Sequence, residues 1–202
     1  MDAFGTERLD PAVITEIAHE TAAVLVRTGR ASDNPEVTQR LVRLVDELGL
    51  ATLAELWAQR PARSLPGALW RLYVLREWVR RDGVGAGLDF AEGMRHADVA
   101  VAIAGVGTPP GAAQVQELAD AVLRGVYAGD LALALERAAA FCRVVAAGRA
   151  SREPDALSGV GSAGPVGVAE LSERQARSAA QVLAMADDLG AAARAWRRGD
   201  LT

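Results

Sequence analysis

The chain has 202 residues, half of them hydrophobic and 24% charged, a balance that supports one globular core without disulfides or bound metal. The formal net charge of −4 and the pI near 5.3 argue against a dedicated nucleic-acid-binding protein, because such proteins usually carry a basic balance. The single cysteine, Cys142, excludes an intramolecular disulfide and a cysteine-based zinc site, and its apolar surroundings predict a buried structural thiol.

The N-terminal residues lack the basic stretch and apolar core of a signal peptide. The longest uncharged apolar stretch, Val99 to Val106, is far shorter than the roughly 20 residues that a membrane span requires. The sequence therefore predicts a cytoplasmic protein that does not cross a membrane.

Capping residues divide the first half of the chain into four predicted helices. Asp–Pro or Asn–Pro pairs open the first two helices and glycines end them, at Asp10-Pro11 to Gly29 and at Asn34-Pro35 to Gly49. The third helix is predicted to start at Thr52, which forms a capping-box pattern with Glu55, and to end before Pro61. The fourth follows Ser64 and covers residues 67–82; its apolar residues lie nearly all round the helix, which predicts a central position.

The second half is predicted to contain three more helices, separated by glycine and proline. A break is predicted at Gly83–Gly87 and a turn at Thr108–Gly111. Helices are predicted at 89–105, between that turn and Gly129 with an apolar face from Val115 to Val126, and at 131–147. No alternating pattern typical of strands is present, so a parallel-sheet nucleotide-binding fold is not expected.

The C-terminal quarter has a different composition. Residues 151–168 are rich in glycine, serine and proline, which predicts a flexible linker. A second capping-box pattern, Ser172 to Gln175, is predicted to start the helix of a C-terminal helical element at 169–199, with Gly190 as a candidate break. The predicted fold is all-α: an irregular or orthogonal bundle of about seven helices over residues 8–150, plus a tethered C-terminal helix.

Two glycine-rich segments resemble phosphate-binding loops only superficially. Gly105–Gly111 lacks the Gly-Lys-Ser/Thr ending of a P-loop, and the chain contains no lysine. Gly159–Gly164 fits the G-x-G-x-x-G spacing, but it lies in the predicted linker and no strand precedes it. Neither segment predicts a nucleotide site.

Two glutamate–histidine pairs are the candidates for a metal site. Glu16 and His19 have the spacing used by ferritin-like di-metal bundles, and Glu92 and His96 are one helical turn apart. Convergence of these four residues would make the chain a metal-dependent helical enzyme, since carboxylate and imidazole suit iron or manganese. The helical phase places Glu16 and His19 opposite the apolar face of the first helix, which favours surface histidines. We therefore predict no metal, no cofactor and no catalytic residue.

Residues 42–60 have the helix, glycine turn and helix order of a helix-turn-helix unit. The second helix carries Glu55, whereas DNA-binding helices need phosphate-contacting cations around them. A plain αα-corner fits equally well. A DNA-binding transcriptional regulator is therefore the alternative function, and it would be favoured by a basic patch at Arg40, Arg43, Arg60 and Arg63.

The fourth predicted helix carries the strongest candidate for partner binding. Arginine, tryptophan and tyrosine are the residues that dominate the energetics of protein interfaces, and they share one sector of this helix: Trp70, Tyr73, Arg76, Arg80 and Arg81. In the competing interpretation the aromatic rings pack inward and the arginine stems cover them. We predict a non-catalytic helical binding or adaptor protein that acts through protein–protein contact or self-association.

Overall fold

The computed structural model describes residues 10–96, 111–152 and 165–201, with side chains from residue 178 onward in the last range. These residues form nine α-helices and no strand, which confirms the all-α prediction. The helices are α1 Pro11–Ala31, α2 Pro35–Val42, α3 Leu44–Leu48, α4 Leu50–Trp57, α5 Leu65–Arg81, α6 Gly83–Gly93, α7 Ala112–Ala128, α8 Leu131–Ser151 and α9 Pro165–Arg198. None of the described helices is both long enough and apolar enough to cross a bilayer.

The predicted starts of three helices are confirmed by their caps. Asp10 and Asn34 each accept a hydrogen bond from a backbone N–H of the first turn, at 2.9 Å, and a proline follows each of them. The Ser64 hydroxyl accepts from the Gly67 N–H at 3.2 Å and opens α5 in the same way.

The predicted second and third helices are divided differently in the structure. The second is interrupted at Arg43, which separates α2 from α3. Gly49 ends α3 as predicted, with φ of +82°, a left-handed conformation that glycine adopts without strain. The capping box is wrong, because α4 already begins at Leu50 and the Thr52 hydroxyl donates back to the Leu48 carbonyl.

The predicted break at Gly83–Gly87 is also wrong, because these residues form the first half of α6. Asp82 caps this helix by accepting from the Gly85 N–H at 3.0 Å. The predicted helix at 89–105 overlaps α6 only at residues 89–93. Its residues from 97 onward lie outside the described part of the chain, and so do residues 108–110 of the predicted turn.

The C-terminal helix is longer than predicted. It starts at Pro165, inside the predicted linker, and continues through both Ser172 and Gly190, so the second capping box and the break at Gly190 are wrong. Helix α8 likewise continues to Ser151 instead of ending at Ala147. The glycine motif at 159–164 lies outside the described residues.

Helix α8 is central to the fold and is packed against α5, α6, α7 and α9. Its buried residues include Leu135, Phe141 and Cys142. Cys142 is buried, as predicted, and complete burial raises the pKa of its thiol to about 12.

Helix α9 runs antiparallel to α8 and belongs to the same core. Side-chain contacts join Arg197 to Glu136, Asp187 to Arg143 and Ser178 to Arg149, in opposite order along the two helices. Its buried face consists of small or aliphatic residues: Ala186, Leu189, Ala192, Ala193 and Ala195. The second half of this helix therefore packs against the bundle.

Candidate functional site

The five predicted partner-binding residues lie in three different environments around α5. Tyr73 is fully buried; its hydroxyl donates to the Leu41 carbonyl at 2.6 Å and lies 2.5 Å from the Tyr127 hydroxyl. Trp70 is half-buried on one side of α5, whereas Arg80 reaches solvent on another. The structure therefore does not bring the predicted set together on one surface.

Arg76 lies at the junction of α3, α5 and α7. Its side chain is only 7% exposed and its Nε lies 2.7 Å from Asp120 Oδ1. A second bond, of 3.2 Å, joins its guanidinium to Asp46. Since burial of a charged group is costly unless it is paired and hydrogen-bonded, these two carboxylates account for its position.

Glu77 is buried beside this junction, with its side chain 4% exposed. Arg80 donates two hydrogen bonds of 2.8 Å to its carboxylate, and Arg81 donates one of 2.6 Å. The hydrogen bonds from Arg80, and to a smaller extent the one from Arg81, lower the pKa of Glu77 to about 2. Burial acts in the opposite direction.

We expect Glu77→Gln to lower the free energy of unfolding by about 1–2 kcal/mol at pH 7, because it removes charge-assisted hydrogen bonds. The folded pKa lies below the ordinary value of 4.5, so the carboxylate stabilises the fold above about pH 4.5, and this contribution is lost as the pH falls toward 2. Urea unfolding at pH 7, 4 and 3 measures both effects. The exposed Glu117→Gln is the matched control, and an equal pH dependence in wild type and Glu77→Gln would contradict the assignment.

A polar cleft of about 840 Å³, here called the arginine cleft, opens between the α1–α2 corner, α2 and α7. A second hollow of about 290 Å³ adjoins it and shares Arg43 and Asp120 with it. The second hollow is counted as part of the arginine cleft, and because Arg76 and Arg80 line it, two of the predicted site residues belong to this cleft. Its other principal residues come from distant parts of the chain: Arg30, Asp33, Asn34, Thr38, Gln39, Glu117 and Arg124.

A second concave surface, here called the tryptophan groove, lies between α5 and α9. It consists of two hollows of about 300 and 310 Å³ that share Val74, Gln181 and Met185. Trp70 lines the first hollow and Trp78 the second. The second is the more apolar of the two, since Leu75 and Val182 add to its walls.

The ends of the tryptophan groove are fixed by two arginines. At one end Arg71 is 2.8 Å from the Asp188 carboxylate. At the other end the guanidinium of Arg149 stacks over the Trp78 ring at 5.1 Å and donates to the Ser178 hydroxyl at 2.8 Å. These contacts hold α9 against α5 and thereby set the width of the groove.

The four arginines that would favour DNA binding have separate surroundings. Arg40 pairs with Glu47 at 3.4 Å, Arg60 donates to the Thr15 hydroxyl, and Arg43 lines the arginine cleft. Helix α4 exposes the acidic Glu55. The transcriptional regulator remains a hypothesis, and no contact described here adds to it.

The two glutamate–histidine pairs lie on α1 and at the end of α6. His96 Nε2 is 3.6 Å from Glu92 Oε1, one helical turn away, and both Glu16 and His19 lie at the surface of α1. Among the described residues, no three histidine, cysteine, aspartate or glutamate side chains gather in a way that would hold a metal ion.

Comparison with known proteins gives no relative for this chain: no family model, curated protein or solved structure matches it.

Sequence reasoning missed most of both concave surfaces. The stripe Trp70, Val74 and Trp78 was visible at helical spacing i, i+4 and i+8, but nothing in the sequence indicates that Gln181 and Met185 face it. The arginine cleft joins residues about 90 positions apart, and no spacing rule identifies such a pair of walls.

Proposed function

We propose that this chain is a non-catalytic helical binding protein, and that it acts by receiving an amphipathic helix of a partner protein in the tryptophan groove. The observation that supports the proposal is the pair of half-buried tryptophans, Trp70 and Trp78, along a groove whose opposite wall carries Met185. Tryptophan is enriched at interface hot spots, and methionine adapts its shape to apolar partners.

The dimensions of the groove favour a helix as the occupant. Each hollow, at about 300 Å³, accommodates one large apolar side chain. Trp70 and Trp78 are eight residues apart, which is about 12 Å along a helix. Amphipathic helices present apolar anchors at i, i+4 and i+7 over a similar distance, which matches two adjoining hollows.

Small residues keep the first hollow open. Ala58 and Ala184 stand beside Trp70, where larger side chains would have closed the gap. The groove is therefore apolar surface that the fold does not fill with its own residues, and burial of apolar surface is the main driving force of association.

The test is to fill the groove and to measure association. Ala184→Phe places a ring in the first hollow, and Ala184 is exposed, so the fold tolerates the change. Ala180→Phe adds the same ring at an exposed position of α9 that does not line either hollow, and it serves as the matched control.

Native mass spectrometry of the three proteins, purified gently from their own host, gives the readout. We expect a complex of the 21.1 kDa chain with a second polypeptide in wild type and Ala180→Phe, and its loss in Ala184→Phe. A homo-oligomer lost only in Ala184→Phe would identify a second copy as the occupant of the same groove. A bare monomer, or a complex that persists in Ala184→Phe, would overturn the proposal.

A further inference from the structure

The arginine cleft is the larger of the two concave surfaces and is separate from the tryptophan groove. Its volume of about 840 Å³ falls within the range of roughly 300–1,000 Å³ typical of small-molecule sites. Its walls are the α1–α2 corner on one side and α7 on the other, both held to the bundle by buried residues such as Thr38 and Val122. The cleft is therefore a preformed feature of the fold.

Most carboxylates of the cleft are already neutralised. Arg76 bonds both Asp120 and Asp46, Asp46 also lies 4.0 Å from Arg80, and Glu117 is bound to Arg124. The remaining carboxylate on the lining is Asp33, on the exposed loop before α2. Little negative charge is left to oppose an anion that enters.

Two arginines of the lining, in contrast, have no carboxylate within ion-pair distance among the described residues. Arg30 donates to the Gly129 carbonyl at 3.4 Å, and its guanidinium stacks over the Trp196 ring at 5.2 Å. Arg43 lies where the two hollows of the cleft meet. The cleft therefore has a local excess of positive charge in a chain whose net charge is −4.

From this balance we infer that the arginine cleft binds a small organic anion that carries a phosphate or carboxylate group. The planar guanidinium of Arg43 presents donors in a fork that matches either group in a bidentate arrangement. Thr38 and Gln39 add a hydroxyl and an amide to the same wall, and these groups suit a ligand with a polar, hydroxyl-bearing body.

Isothermal titration calorimetry at low ionic strength tests this inference with three probes: glycerol 3-phosphate, succinate and uncharged glycerol. Arg43→Gln removes one of the two arginines of the cleft that have no carboxylate partner among the described residues. Arg63→Gln removes an exposed arginine between α4 and α5 that does not line the cleft, and it is the matched control. Thermal unfolding of each variant checks that the fold is retained.

We expect saturable binding of at least one anionic probe to wild type, no binding of glycerol, and a loss of about tenfold or more in affinity for Arg43→Gln. Arg63→Gln is expected to bind like wild type. Binding of the phosphate or of the carboxylate alone would identify which group the site takes. Absence of binding by both anions, equal binding by Arg43→Gln, or an equal loss in Arg63→Gln would overturn the inference.

Discussion

Gly148→Ala is expected to lower the free energy of unfolding by about 3 kcal/mol, because α6 and α8 touch through their backbones at this position. A Cβ atom on Gly148 would lie well under 3.0 Å from the Asp89 carbonyl oxygen of α6, and one on Gly93 would meet the Val144 carbonyl of α8 equally closely. Both obstacles are backbone atoms of packed helices, so the crossing cannot relax by turning a side chain. Urea unfolding followed by circular dichroism measures the change.

Gly125→Ala is the matched control for this substitution. Gly125 is also a helical glycine, but a Cβ there would lie 3.4 Å from Ala134 Cβ, an ordinary contact. Alanine is the better helix former, so this variant is expected to be as stable as wild type or slightly more stable. Equal stability of Gly148→Ala and Gly125→Ala would show that the two helices are not in backbone contact.

Asp89→Ala is expected to lower the free energy of unfolding by about 3–5 kcal/mol, because it removes a buried carboxylate that is bonded to the largely buried Arg149. The Asp89 side chain is 7% exposed and lies 2.8 Å from Arg149 Nε and 2.7 Å from Arg152 Nη1. Arg149 is itself only 14% exposed, so water cannot fully replace the lost partner. Denaturant unfolding at neutral pH measures the effect.

Arg152→Ala removes only the Asp89–Arg152 ion pair and leaves the Asp89–Arg149 ion pair in place, so it measures the contribution of the first pair alone. The Arg152 side chain is 40% exposed, and exposed ion pairs contribute about 1 kcal/mol or less. A cost for Asp89→Ala no larger than the cost for Arg152→Ala would contradict the view that Arg149 depends on this carboxylate. Arg149 also fixes one end of the tryptophan groove. We therefore expect that any loss of partner binding in Asp89→Ala is accompanied by a lower free energy of unfolding.

Local signals in the sequence predicted much of the fold. The caps at Asp10, Asn34 and Ser64 act within two or three residues, so their sequence patterns specified the starts of α1, α2 and α5 correctly. The stop at Gly49 was equally local, since the left-handed backbone at that position suits glycine.

Where tertiary packing decided the outcome, the same signals failed. Gly83, Gly85 and Gly87 were predicted to form a break, yet they lie in a helix because tertiary contacts outweigh intrinsic helix propensity. Gly83 and Gly87 are buried there. Gly190 remains helical within α9 for the same reason, beside Arg143 of α8.

The site was less predictable than the fold because its partners are distant in sequence. Arg76 lies on the same helix as Trp70, and their residue types alone led us to predict that both belong to one partner-binding surface. The burial of Arg76 depends on Asp46 and Asp120, which are 30 and 44 residues away. No pattern along one helix reveals which of its arginines has such partners.

The ion-pair networks around Arg76, Glu77 and Asp89 have an asymmetry in their chemistry. Every cation in them is a guanidinium, since the chain has 22 basic residues and no lysine. Arginine keeps its proton under strongly alkaline conditions in which lysine pairs would be neutralised. Acid therefore breaks these ion pairs by protonating the carboxylates, whereas base leaves them charged. Reagents that acylate or cross-link lysine amines have no side chain to react with in this chain.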